Sequence, residues 1–258
     1  MWGNPLGTMT NEEYAKTILQ GRVGDCAFIA STFAIARIRG EAAFDIEEKA
    51  KVNGIRQFSV FMRNSKLDPL PKFRVVSEPT DAELLIGAKT TDAAMWLPLL
   101  EKAYLDGFGT VTRSYSYYGN ANQSLSRFDI PAGGEDIATA IKRLSKRNQQ
   151  TVQQFAMSEF NNQDDKLRAY LRASQLTPGR GVLLTWTDKK EKLPAAATTA
   201  GVPGNHAFIV VGYNALAGTV TIRNPWNSDS TWGRQETISF QQFKAWFIGV
   251  TWAPLYGK

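Results

Sequence analysis

The sequence predicts an α+β fold, on three observations. Residues 1–131 carry helical patterns around one buried apolar run, and residues 132–258 are rich in short strand-like runs separated by turn residues. At 258 residues, with 43% hydrophobic and 21% charged side chains, the chain can bury a substantial core and does not have a disordered composition. The division falls where Pro131, Gly133 and Gly134 punctuate the chain. It gives a helical subdomain (1–131) followed by a β-rich subdomain (132–258).

Asn11 is a candidate N-cap for a helix over 11–19, with Glu12 and Glu13 suited to its positive end. Two glycines make 20–25 (QGRVGD) a tight loop, and CAFIASTFAIAR (26–37), small or apolar almost all round, reads as a buried helix closed by Gly40. Runs 58–62 and 73–76 read as strands around a turn containing Asp68, Pro69 and Pro71. Thr91 or Asp92 opens a helix in which Trp96, Leu99, Leu100 and Ala103 share a face. Helices are expected at 135–147 and 163–173, and strands at 181–186, 207–213, 219–223, 237–240 and 250–252, with a helical stretch at 241–247. Gly218 supplies a hairpin turn between the second and third of these strands. Residues 189–204, rich in Ala, Thr, Pro and Gly, read as a long mobile loop that ends just before His206.

A single cysteine excludes an intrachain disulfide and any metal site built on several thiolates, and a single histidine argues against zinc. The net charge of +6 comes from scattered residues, and the one dense cluster (Lys142, Arg143, Lys146, Arg147) fits a wet helix face, so no nucleic-acid partner is expected. No run is long and apolar enough for a membrane span, and none reads as a signal peptide. With the free cysteine, this favours a cytoplasmic location, although the sequence is compatible with a piece of a larger chain.

Cys26 begins the buried helix, where free N–H groups and the helix dipole favour a thiolate. Gln20, six positions earlier across a glycine loop, can present a side-chain amide beside the Cys26 N–H, the pair of donors that acyl transfer requires. His206 begins a strand after a glycine loop and is the one side chain suited to act as a base near neutrality. Asn224 ends the next strand. A hairpin between 207–213 and 219–223 makes His206 and Asn224 cross-strand neighbours, so the Asn oxygen can fix the imidazole tautomer. Pro225 would hold that geometry and Trp226 would shield it from water.

The blocks QGRVGDCAFIAS (20–31), WLPLLEKAY (96–104), HAFIVVGY (206–213), IRNPW (222–226) and TISFQQFKAWF (237–247) resemble, in order, those of the calpain family of cysteine proteases. The resemblance implies a two-lobed, papain-like core that hydrolyses peptide bonds of protein or peptide substrates through a thioacyl-enzyme. It implies Cys26 as nucleophile, His206 as base, Asn224 as orienting residue and Gln20 as oxyanion donor, with Gly24, Asp25, Asn205 and Trp226 lining the cleft and a gating loop before His206. Two positions depart from the family pattern: Ala27 stands where Trp is usual, and Asn205 where Gly is usual. The calcium ligands of the switched members also look absent. Thr17 replaces an acidic residue, 107–128 contains no Asp or Glu, and only Asp229 and Glu236 follow the Asn-Pro-Trp block. No cofactor, and no calcium, is therefore expected. The alternatives are a catalytically silent peptide-binding relative and a Cys-dependent acyltransferase.

Overall fold

Helix α1 (Asn11–Lys16) starts at the residue expected to cap it, one position earlier than an Asn11 cap implies. The cap is Thr10: its N–H and Oγ1 donate to Glu13 Oε2 at 2.8 Å each, and the Glu13 N–H donates back to Thr10 Oγ1 at 3.2 Å. Asn11 instead donates its amide to the Ile38 carbonyl at 2.8 Å, tying α1 to the next helix. These relations come from a computed structural model, which describes residues 10–21, 24–40, 43–65, 68–108, 136–144, 152–175, 181–226 and 232–254. The helix ends at Lys16 because Ile18–Leu19 form β1, paired antiparallel with β5 (Lys89–Thr90).

Helix α2 (Cys26–Arg39) has every residue from Ala27 to Ala36 buried, as its uniformly apolar sequence requires. It stops at Gly40, whose φ of 63° lies in the left-handed region. A three-stranded antiparallel sheet follows, in the order β2 (Ile46–Val52), β3 (Ile55–Ser65), β4 (Asp68–Ser77). Phe58, Val60, Met62 and Val76 point into the core. Asp68, Pro69 and Pro71, expected in the turn, belong to β4; an edge strand tolerates proline because one side of its backbone needs no ladder partner. Helix α3 (Asp81–Ile86) carries a Thr80–Glu83 capping box. Helix α4 (Trp96–Phe108) begins later than expected, because the Ala94 N–H donates to Thr90 Oγ1 at 2.8 Å and Ala93 sits at φ 56°, which makes this stretch a turn. The expected boundary at 131/132 lies outside the described residues. Helix α5 (Ile137–Leu144), which follows it, packs on α2 and β3 through Ile137, Ile141 and Leu144.

The second half builds a six-stranded antiparallel sheet from β6 (Gln153–Ala156), β7 (Val182–Trp186), β8 (Ala207–Asn214), β9 (Thr219–Arg223), β10 (Gln235–Ser239) and β11 (Gly249–Ala253), in the order β10-β9-β8-β7-β11-β6. Helices α6 (Asp164–Ala173), α7 (Ala195–Thr199) and α8 (Phe240–Trp246) complete it. Along β8, Ala207 and Ile209 enter the core shared with α2, while Phe208 and Val210 enter the core shared with Phe243 and Phe247. A strand covered on both faces reads as an unbroken apolar run, which is what the sequence shows there. The β8–β9 hairpin turns at Gly218, φ 63°, with Asn214 Oδ1 accepting the N–H groups of Leu216 and Ala217 at 3.0 Å.

Residues 189–204 are not the open loop their composition predicts. A 3-10 turn (Lys190–Lys192) and α7 occupy them, and Leu193, Ala197 and Val202 are buried in the core around Phe208. Gly204 is needed for that packing: a Cβ there would fall 2.4 Å from the Lys190 backbone nitrogen. Among the described residues, no helix is long and apolar enough to cross a membrane.

Candidate active site

Asp25 occupies the cap position of α2, and its carbonyl accepts the N–H groups of Phe28 (2.8 Å) and Ile29 (3.1 Å). Its side chain makes no cap bond. It turns inward, fully buried, to accept the Gln20 amide, Nε2 to Oδ1, at 3.3 Å. Cys26 is thus the first helical residue, and the Ala207 N–H at the start of β8 lies close enough to its sulfur to favour the thiolate. The helix end favours a thiolate, but burial outweighs it, and with Asp25 beside it the thiol is pushed up to about 11.

His206 is 3% exposed. Its Nε2 lies 2.8 Å from Asn224 Oδ1, which also accepts the Trp226 N–H at 3.0 Å. An oxygen that accepts from Trp226 is an acceptor for the ring too, so the imidazole proton sits on Nε2 and Nδ1 keeps its lone pair. The Trp226 ring packs over the imidazole at 4.2 Å between centroids, and Phe208 meets it edge-on at 4.7 Å. Burial lowers His206 to about 4 despite the Asn224 bond. At neutral pH both imidazole and thiol are uncharged.

Gln20 is held to the Asn-Pro-Trp segment. Its N–H donates to the Pro225 carbonyl at 2.8 Å, and Gln20 and Trp226 form a parallel bridge. The backbone therefore gathers Gln20, Cys26, His206 and Asn224, which come from distant parts of the sequence, into one place. Of the expected cleft residues, Gly24 and Asn205 are exposed, Trp226 is half-buried and Asp25 is buried. Asn205 has φ 50°, a conformation that glycine and then asparagine adopt most readily, so Asn can stand there without changing the backbone. Ala27 is buried in the core shared with α2.

Two polar residues of this region escaped the sequence reading. Glu101 on α4 is 4% exposed and contacts Asp25. It lies four residues after Leu97 and three before Tyr104, on their buried face, and a charge at helical spacing within an apolar stripe is a readable signal. Arg223, one residue before Asn224, is 6% exposed and donates Nη2 to the Lys16 carbonyl at 3.0 Å. Among the described residues, no group of three His, Cys, Asp or Glu side chains is gathered as a metal would need.

The profile of the calpain family of cysteine proteases matches residues 4–241. The chain belongs to that family. No curated protein matches it.

The buried imidazole of this calpain-family chain makes stability depend on pH. His206 is depressed from 6.5 to about 4, so the unfolded chain binds the proton first as pH falls. The stability contributed by the neutral ring is complete above 6.5 and is lost as pH drops through about 4. His206→Gln, which keeps a donor for Asn224, should flatten this part of the acid limb. Urea midpoints of both proteins at several pH values across that window check it, and parallel slopes would refute it.

Proposed function

We propose that this chain is a cysteine endopeptidase with a papain-like, two-lobed core, in which Cys26 attacks, His206 moves the proton, Asn224 orients the ring and Gln20 stabilises the oxyanion. The observation that carries this reading is the His206–Asn224 bond, at the end of β8 whose Ala207 N–H acts on the Cys26 thiol. With Nε2 committed to Asn224, Nδ1 is the nitrogen left to receive the thiol proton.

Because thiol and imidazole start neutral, the proton leaves Sγ for Nδ1 as sulfur attacks the peptide carbonyl carbon. The C–S bond forms, and the carbonyl π pair moves to oxygen. The Cys26 N–H and the Gln20 amide, which Asp25 holds in place, would donate to that oxygen. Collapse re-forms the carbonyl and expels the amine, which takes the proton from Nδ1. Water, deprotonated by His206, then cleaves the thioester. Protein or peptide is the substrate class, and Gly24, Asn205 and Trp226 are the cleft residues it would touch.

The described residues do not suit a calcium switch. Calcium needs six to eight oxygens with several carboxylates, and Thr17 and the described carboxylates offer no such set. Polar contacts join the lobes instead: Arg223 to the Lys16 carbonyl at 3.0 Å, Arg37 Nη2 to the Val211 carbonyl at 2.9 Å, and the Gln20 N–H to Pro225. We therefore expect activity without calcium. Digestion of a casein-like protein, with products identified by mass, should proceed equally with and without EDTA. Loss in EDTA with rescue by calcium alone would refute the calcium claim, and intact casein in both arms would refute the peptidase.

A further inference from the structure

We propose that Asp25 and Glu101 share a single proton, and that the pair holds the Gln20 amide and the start of the nucleophile helix in place, which makes Glu101 a positioning residue of the site. The positioning half of this inference rests on the peptidase reading; the shared proton does not.

The geometry is that of two carboxyl groups buried together. Asp25 is 0% and Glu101 4% exposed, and the two side chains are within hydrogen-bonding reach of each other. Three of their oxygen contacts are plain. Asp25 Oδ1 accepts from Gln20 Nε2, Glu101 Oε2 accepts the Ala88 N–H at 2.7 Å, and Gly87 packs against Glu101 so closely that a Cβ there would lie 2.5 Å from Oε2. The remaining oxygens, Asp25 Oδ2 and Glu101 Oε1, are buried and meet no N–H or O–H donor. Two adjacent anions in a dry site would repel strongly. One proton between them supplies the missing donor, leaves the pair with one charge, and removes that repulsion.

Burial raises both carboxyls, and the charge of Glu101 raises Asp25 further, so the proton is retained at neutral pH. The groups that act on the pair are each other, the Asp25 and Ala88 N–H groups and Gln20; the other titratable neighbour is Cys26, which Asp25 raises. No cation appears among them. The functional consequence runs through Gln20. A singly charged, rigid partner fixes its amide, whereas a dianion would place extra negative charge beside an oxygen that becomes negative in the transition state.

The test compares the wild type with Glu101→Gln, Glu101→Ala and Asp25→Asn. In Glu101→Gln an amide N–H replaces the shared proton and Oε1 keeps the Ala88 bond, so kcat should stay near wild type. In Glu101→Ala the Gln20 anchor loosens, and kcat should fall about tenfold with KM little changed. Infrared spectra at pH 7 should show the carbonyl stretch of a buried protonated carboxylic acid in the wild type, lost in Glu101→Gln and in Asp25→Asn. Absence of that band overturns the pair, as does a Glu101→Gln protein that fails to fold. Equal damage by Gln and Ala, or wild-type kcat in Glu101→Ala, overturns the positioning role. If Glu101→Ala fails to fold, Glu101→Met takes its place in the kinetic arm: it fills the volume but offers Asp25 and Ala88 no polar partner, so a fall in kcat with KM little changed supports the role and a wild-type kcat refutes it. A wild type with the band but without peptidase activity keeps the pair and refutes the protease reading alone.

Discussion

Cys26→Ala is expected to abolish turnover of a casein-like substrate, by about 10⁴-fold or more, since removing a nucleophile from a catalytic unit forfeits nearly all that the unit contributes. Folding should survive. The side chain packs only partly against the core, and the substitution removes one sulfur without touching the cap, whose carbonyl still receives Phe28 and Ile29. The cavity is one atom in size, so the stability change should stay within about 1 kcal/mol. Product masses and a urea titration read the two effects separately. The raised thiol sharpens the prediction: with Cys26 at about 11 and His206 at about 4, there is no standing ion pair. Alkylation of the wild type by iodoacetamide should therefore be slow at neutral pH and should slow further in His206→Ala. A silent relative would show no turnover in either protein and no dependence of alkylation on His206. An acyltransferase would return product carrying an added amine. Full activity in Cys26→Ala would sink the reading outright.

The parts of this site that the sequence announced are those set by local geometry. A hairpin with Gly218 at its turn brings the start of β8 beside the end of β9, but the ladder pairs Ile209 with Arg223, so His206 and Asn224 are not directly opposite: they lie just past its end and their side chains meet on a diagonal. Helix α2 was legible because a run with no polar face can only be buried. Other features were hidden for physical reasons. β2 has almost every residue exposed, so burial imposes no alternation on IEEKAKV. The segment 189–204 looked like a loop because its Ala, Pro and Gly content masks Leu193, Ala197 and Val202, the three side chains that anchor it. The Thr10–Glu13 spacing did mark the cap of α1, but Asn11 is also a good capping residue, and only the distances separate the two. The role of Asp25 was the least readable. Its carboxyl is a liability without Glu101, and Glu101 lies 76 positions away (101 − 25) on another helix, so the stripe that marks Glu101 as buried does not say which group it meets.

Arg223→Met is expected to lower kcat/KM about 100-fold while changing stability by only about 1–2 kcal/mol. The two effects separate because the guanidinium is both costly and well held. Burial, and then the neighbouring Arg234, push Arg223 down to about 10, so the fold works against a charge that nevertheless persists at neutral pH. Against that stand the bond to the Lys16 carbonyl, across the two halves of the chain, and the face of Phe33 on α2, with the guanidinium carbon 4.8 Å from the ring centroid. A charge-assisted bond contributes about 1.5–3 kcal/mol and a desolvated cation–π contact about 2 kcal/mol. Methionine keeps most of the volume and relieves the buried charge, so much of this loss is offset. Position is not offset. Arg223 immediately precedes Asn224 and ties its strand to Lys16 at the end of α1, four residues before Gln20 (20 − 16). Releasing that tie lets the His206–Asn224 side slide relative to Cys26, and a displacement of about 1 Å is enough for a 100-fold loss. Calcium should not restore activity, since the tie is a guanidinium and not a carboxylate cage. Kinetics on a peptide substrate beside a urea titration decide it. Unchanged kcat/KM would mean that the alignment is held elsewhere, and a stability loss far larger than the kinetic one would make Arg223 a folding residue with no part in positioning.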